Sequence, residues 1–135
     1  MTTYVFDACA VIAYLNQEHG SDVVKRLLLQ ADCERLMAMV NVYEICYDAA
    51  RQKGIDQAMH VYQQKIQPLP VQLVHTIDEA MLRQAIYFKT TYAVSVADAL
   101  ALGLAKSKQA ILVTADHHEC DVIDQAHDLS FCWIR

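Results

Sequence analysis

The feature that most constrains this chain is an alternation of short β-branched runs with amphipathic helical stretches along its whole length. It begins with Tyr4-Val5-Phe6 and the Ala-rich, apolar segment that follows. Tyr4, Val5 and Phe6 suit a strand buried on both faces, and residues 8–15 have the apolar spacing of a helix. Further strands are expected over residues 36–40, 71–74, 110–113 and 129–134. Helices are expected over 21–31, 41–52, 55–66, 77–90, 96–106 and 119–126. Strands interleaved with helices imply right-handed crossovers and a mainly parallel α/β sheet with helices on both faces. Ligands bind such a sheet in the crevice outside the carboxyl ends of its strands, where the strand order reverses. Asp7 stands at one of those ends.

The punctuation agrees with this frame. Gly54 ends one helix, Pro68 and Pro70 break the chain before the strand at 71–74, and Thr76 with Glu79 reads as a capping box. With 135 residues, 55% hydrophobic, and only 3 Gly and 2 Pro, one domain over residues 1–135 with short connections is expected. There is neither a secretory signal pattern nor an apolar run of membrane-spanning length, so a cytoplasmic protein without a membrane partner is expected.

Five scattered cysteines without a C-x-x-C pair argue against a disulfide framework. His117, His118 and Cys120 match no usual structural-zinc spacing and read as surface histidines beside a strand end. A formal charge of −5 argues against a broad basic face for nucleic acid. No G-x-G-x-x-G or G-x-x-x-x-G-K-[ST] is present, so dinucleotide and P-loop sites are excluded. Cys9 as a nucleophile lacks an assignable base.

The acids carry more information. Alone, Asp7 reads as the N-cap of the helix after it. Glu44 lies three residues after Asn41, and Asp98 three after Ser95, which is capping-box spacing. What they share is location: a carboxylate in the first turn after a parallel strand lies at the same sheet edge as Asp7. Asp116, in Val113-Thr114-Ala115-Asp116, reaches that edge too if the strand at 110–113 neighbours the first. Two carboxylates about 4 Å apart repel by roughly 4 kcal/mol at an effective dielectric near 20, so four that converge call for a cation. Their hard oxygens favour Mg²⁺ or Mn²⁺.

An early strand ending in Asp, an Asn-x-x-Glu helix start, a Ser-x-x-Asp-Ala-Leu-Ala-Leu-Gly-Leu-Ala helix and a Thr-x-Asp after a strand together resemble the PIN domain. The similarity is to its short, single-domain ribonuclease toxins of the VapC type. The resemblance implies a three-layer α/β/α fold with a five-stranded parallel sheet ordered 3-2-1-4-5. It also implies metal-dependent RNA cleavage by Asp7, Glu44, Asp98 and Asp116. Asp7, Asp98 and Asp116 would bind Mg²⁺ or Mn²⁺, and Glu44 would complete the site or position the attacking water. Thr114 matches a family hydroxyl near the last acid, whereas Cys9 stands where many members carry Ser or Thr. An RNA substrate, a cognate antitoxin presenting an Arg, and a homodimer are implied as partners. Lys89, Lys106, Lys108 and Arg135 are unranked candidates for RNA contacts, and Asp48, Glu119 and Asp121 are acids without an assigned role. Two other readings stay open: a PIN-like RNA- or protein-binding module whose acids are only caps, and a metal-dependent phosphatase. The aspartyl-nucleophile type of phosphatase needs an Asp where Cys9 stands.

Overall fold

Strict alternation of side chains along the central strand decides the architecture. The computed structural model describes residues 1–135, and its first strand, β1 (Thr2–Phe6), ends in two fully buried residues, Val5 and Phe6. Val5 points into one hydrophobic cluster and Phe6 into another. The neighbouring strands β2 (Cys33–Ala38) and β4 (Ile111–Thr114) do the same, Leu36 and Leu112 joining Val5, Met37 and Val113 joining Phe6. A strand that is apolar on both faces requires a layer on each side.

Helices supply those layers. On the Phe6 side lie α1 (Ala8–Leu15), α2 (Ser21–Leu29) and α3 (Met39–Lys53), through Val11, Val24, Val42 and Ile45. On the Val5 side lie α5 (Glu79–Thr91), α6 (Val96–Ser107) and α7 (His117–Gln125), through Phe88, Leu102, Leu104 and Ile123. With α4 (Ile55–Val61), β3 (Gln72–Val74) and β5 (Ser130–Trp133), the sheet has the order β3-β2-β1-β4-β5, and every pair is parallel. This is the order that the sequence implied by resemblance.

Helices α5 and α6 approach closely at Gly103, where a Cβ would come within 2.7 Å of the Ala85 backbone nitrogen. The glycine there serves close packing.

Several local expectations change. Helix α3 opens two residues before Asn41, which is fully buried inside it and does not cap it. Met39 and Val40 pack against the two cores and draw the backbone into the helix early. Helix α5 is capped by Asp78, whose carboxylate accepts from the Met81 amide at 2.8 Å, and the Thr76–Glu79 box is not formed. The helix expected over 55–66 is α-helical only to Val61 and widens into a π turn over Tyr62–Ile66, which places Ile66 in the core. Helix α7 starts at His117, two residues earlier than its apolar pattern suggests.

Candidate metal centre at the carboxyl edge of the sheet

Asp7 leaves β1 with extended backbone and caps α1, its Oδ1 accepting from the Ala10 amide at 3.0 Å. The β1–β4 pairing continues one step further through the Asp7 amide and the Val113 carbonyl, 3.3 Å, so Asp7 is held against the end of β4. There the buried Thr114 hydroxyl donates to Asp7 Oδ2 and accepts from the Asp116 amide at 3.0 Å. The Cys9 thiol donates to Asp7 Oδ1 at 3.1 Å, and its sulfur accepts from the Ala115 amide at 3.3 Å. Cys9 thus fills a hydrogen-bonding position between the two strand ends. Burial pushes the Asp7 carboxyl up to about 6 against the pull of these hydrogen bonds, and the charge of Asp116 adds to the rise.

The other acids come from the starts of helices α6 and α7 and from the second turn of α3. Ser95 caps α6 and accepts from the Asp98 amide at 3.1 Å. Asp116 caps α7 and accepts from the Glu119 amide at 3.2 Å. Glu119 reaches to the start of α6, its Oε2 accepting from the Ser95 amide at 3.0 Å, and so ties the starts of α6 and α7 together. One oxygen from each of Asp98, Asp116 and Glu119 lies within 4.8 Å of the others. Desolvation first, then a hydrogen bond and charge from Glu119 and the charge of Asp116, push Asp98 up to about 8. Glu44 stands on α3, where the Asn41 amide donates to its Oε1 at 2.8 Å; the buried Asn41 Oδ1 has no partner.

Asp7, Glu44, Asp98 and Asp116 line one groove of about 370 Å³, together with Cys9, Asp48, Ile12, Tyr43 and Tyr47. Asp48 is also paired with Arg51 at 3.0 Å. A larger hollow opens at the opposite, amino end of β4 and β5 around Lys106 and Asp128. Its charged pair is already engaged: Asp128 takes bonds from the Tyr87 and Tyr92 hydroxyls and pairs with Lys106 at 3.5 Å. In the groove at the carboxyl edge, Asp7, Glu44, Asp98 and Asp116 have no basic partner.

Glu119 is the member that spacing failed to single out, although Asp116-x-x-Glu119 is itself capping-box spacing. His117 has no free ring nitrogen: Nδ1 meets Asp121 at 2.7 Å, Nε2 meets the Arg135 carbonyl at 2.8 Å, and the ring stacks on Trp133. Cys120 is buried in the core, and all five cysteines are free thiols.

The donor set fits a small divalent cation. It is all oxygen, three carboxylates already converge, and burial together with neighbouring carboxylates raises Asp7 and Asp98, a rise that a bound cation would oppose.

A parallel sheet of order 3-2-1-4-5 with a cluster of carboxylates over its strand ends defines a three-layer α/β/α protein with an acidic site at the sheet's carboxyl edge. A PIN domain family model matches residues 4–124, and the chain belongs to that family. No curated protein matches the sequence. Among solved structures, the chain is similar to VapBC-1 from nontypeable Haemophilus influenzae, with a TM-score of 0.76, 16% identity, and 98% of each chain covered. It is similar to VapBC-5 of Mycobacterium tuberculosis, a member of the VapBC family of toxin-antitoxin systems, with a TM-score of 0.64, 14% identity, and 98% of this chain and 99% of that one covered. A third, M. tuberculosis VapC20, a toxin that cleaves the sarcin-ricin loop, matches with a TM-score of 0.60 and 16% identity over 81% of this chain and 86% of that one.

Proposed function

We propose that this PIN-domain protein is a metal-dependent endoribonuclease of the VapC type, the toxin of a type II toxin-antitoxin pair. The observation that carries this reading is the convergence of Asp98, Asp116 and Glu119 to within 4.8 Å beside a buried, triply hydrogen-bonded Asp7. Asp7, Asp98 and Asp116 are assigned to Mg²⁺ or Mn²⁺, and Glu119 joins them. When bound, the cation supplies Lewis acidity toward a phosphoryl oxygen and lowers the pKa of a water.

The protein's own groups do the positioning. Thr114, Cys9 and the Ala10 amide fix the Asp7 carboxylate, so only a small reorganisation is needed on binding. Asn41 engages one oxygen of Glu44 and leaves the other to orient the attacking water in line with the leaving oxygen. The known partners of the structural neighbours support a cognate antitoxin here, with an Arg fork suited to the acidic groove. A homodimer is the commonest symmetric assembly and is proposed for this chain. Five free thiols favour a reducing, cytoplasmic setting. No helix is long and apolar enough to cross a membrane.

One observation favours a second reading, a binding module without chemistry: Asp7 and Asp116 both cap helices in the ordinary way. Incubation of the purified protein with end-labelled RNA separates the two. Cleavage is expected with Mg²⁺ or Mn²⁺, and is expected to be lost in excess chelator and in a folded Asp98→Asn variant. Undiminished cleavage in either condition overturns the mechanism, and no cleavage with any divalent cation favours the binding module.

A further inference from the structure

Two large aromatic side chains beside the acids stay exposed. Tyr43 and Tyr47 line the same groove as Asp7, Glu44, Asp98 and Asp116, yet they are 64% and 53% exposed. Their rings lie in step along α3, with centroids 6.1 Å apart and planes 22° from parallel. One turn further on, the Arg51 guanidinium lies 5.5 Å from the centroid of the Tyr47 ring; it is largely exposed and pairs through one nitrogen with Asp48 at 3.0 Å, a surface pair that a phosphate can displace. Residues 43, 47 and 51 therefore form one stripe, each step rising about 6 Å along the helix. Glu44 and Asp48 form the adjoining acidic stripe. A ring that serves the core is buried; these rings line the groove and stay more than half exposed. Exposed stacked aromatics next to a cationic fork suit a nucleobase and its phosphate, since every base has a π-face and a guanidinium pairs with phosphate oxygens.

We infer that Tyr43 and Tyr47 form a stacking platform for unpaired nucleobases flanking the scissile phosphate, with Arg51 on the next phosphate, so that the substrate is engaged as a single strand. This rests on the ribonuclease reading and adds to it which side chains hold the bases beside the cut. A base inside a duplex has both faces covered by its neighbours and cannot lie on the platform, so paired RNA is disfavoured at the cut.

The test uses the full chain and short unstructured RNA oligonucleotides with one scission point. Each is matched by oligonucleotides with a single abasic residue at one flanking position. Tyr47→Leu is expected to raise KM about tenfold, the scale of one base–aromatic stack, with kcat changed far less. Tyr47→Phe is expected to restore KM. Wild type should lose a similar factor at one abasic position, and Tyr47→Leu should lose nothing more there, because both changes remove the same contact. Wild-type-like KM in a Tyr43→Leu/Tyr47→Leu double variant, or losses that multiply, would overturn the platform and leave the pair as a protein-contact surface. If wild type cleaves none of these RNAs in Mg²⁺ or Mn²⁺, the nuclease reading fails instead. The platform is then judged by fluorescence anisotropy with labelled oligonucleotides, where binding insensitive to Tyr43 and Tyr47 also overturns it.

Discussion

Asp7 shows how one side chain serves two masters. It caps α1 as any Asp could, but it does so 5% exposed and with its carboxyl raised to about 6 from an ordinary value of 3.8. The folded protein therefore binds this proton more tightly than the unfolded chain does. The stabilising contribution is complete below about pH 4 and is lost as pH rises through 6, a change on the order of 3 kcal/mol for a fully buried group. Metal-free protein in urea titrations at pH 4.5, 6 and 7.5 is expected to lose stability across that window relative to Asp7→Asn, whose neutral amide does not titrate. A flat difference between the two proteins would show that Asp7 is not desolvated. That Asp7, Asp98 and Asp116 share one edge was legible because caps and first turns after parallel strands lie together whatever their side chains do; Glu44 joins them from the second turn of α3. Asn41 was misread for a physical reason: N-x-x-E spacing is the same whether Asn caps from outside or holds Glu44 from within, and only burial tells them apart.

At the level of elements, the sequence marks where apolar faces lie but not how closely two helices approach. Gly103 sits inside a strong helical pattern, and nothing in its neighbours announces that the Ala85 backbone lies where its Cβ would be. The contact joins α5 to α6, and α6 carries Asp98 in its first turn. Gly103→Ala would gain helix propensity of about 1 kcal/mol on an isolated helix. Here it must push backbone apart, and overpacking of this kind costs about 1–3 kcal/mol. A net loss of stability is expected by denaturant unfolding, with unchanged m-value; a gain would mean that the two helices separate freely. The π turn at Tyr62–Ile66 is likewise invisible to periodicity, because Ile66 falls on the inner face by widening one turn, not by staying in 3.6-residue register.

For the whole molecule, a chain of net charge −5 that brings Asp7, Glu44, Asp98 and Asp116 to one groove places like charges together at a cost to the fold. Asp98 is pushed up to about 8 by burial and by Glu119 and Asp116, and Glu119 bridges to the Ser95 amide at the start of α6. The elements that carry these acids, α6 and the β4–α7 junction, are pressed together and electrostatically opposed. In thermal melts at pH 8 without divalent cation, Asp98→Asn is therefore expected to melt above wild type by about 3–5 °C, since relief of roughly 1 kcal/mol shifts the midpoint of a domain of this size by that much. Mg²⁺ or Mn²⁺ should reverse the order, raising wild type in proportion to the logarithm of free cation above the dissociation constant and leaving Asp98→Asn nearly unmoved. An Asp98→Asn protein that melts below wild type in chelator would show that the acids support the fold instead of straining it.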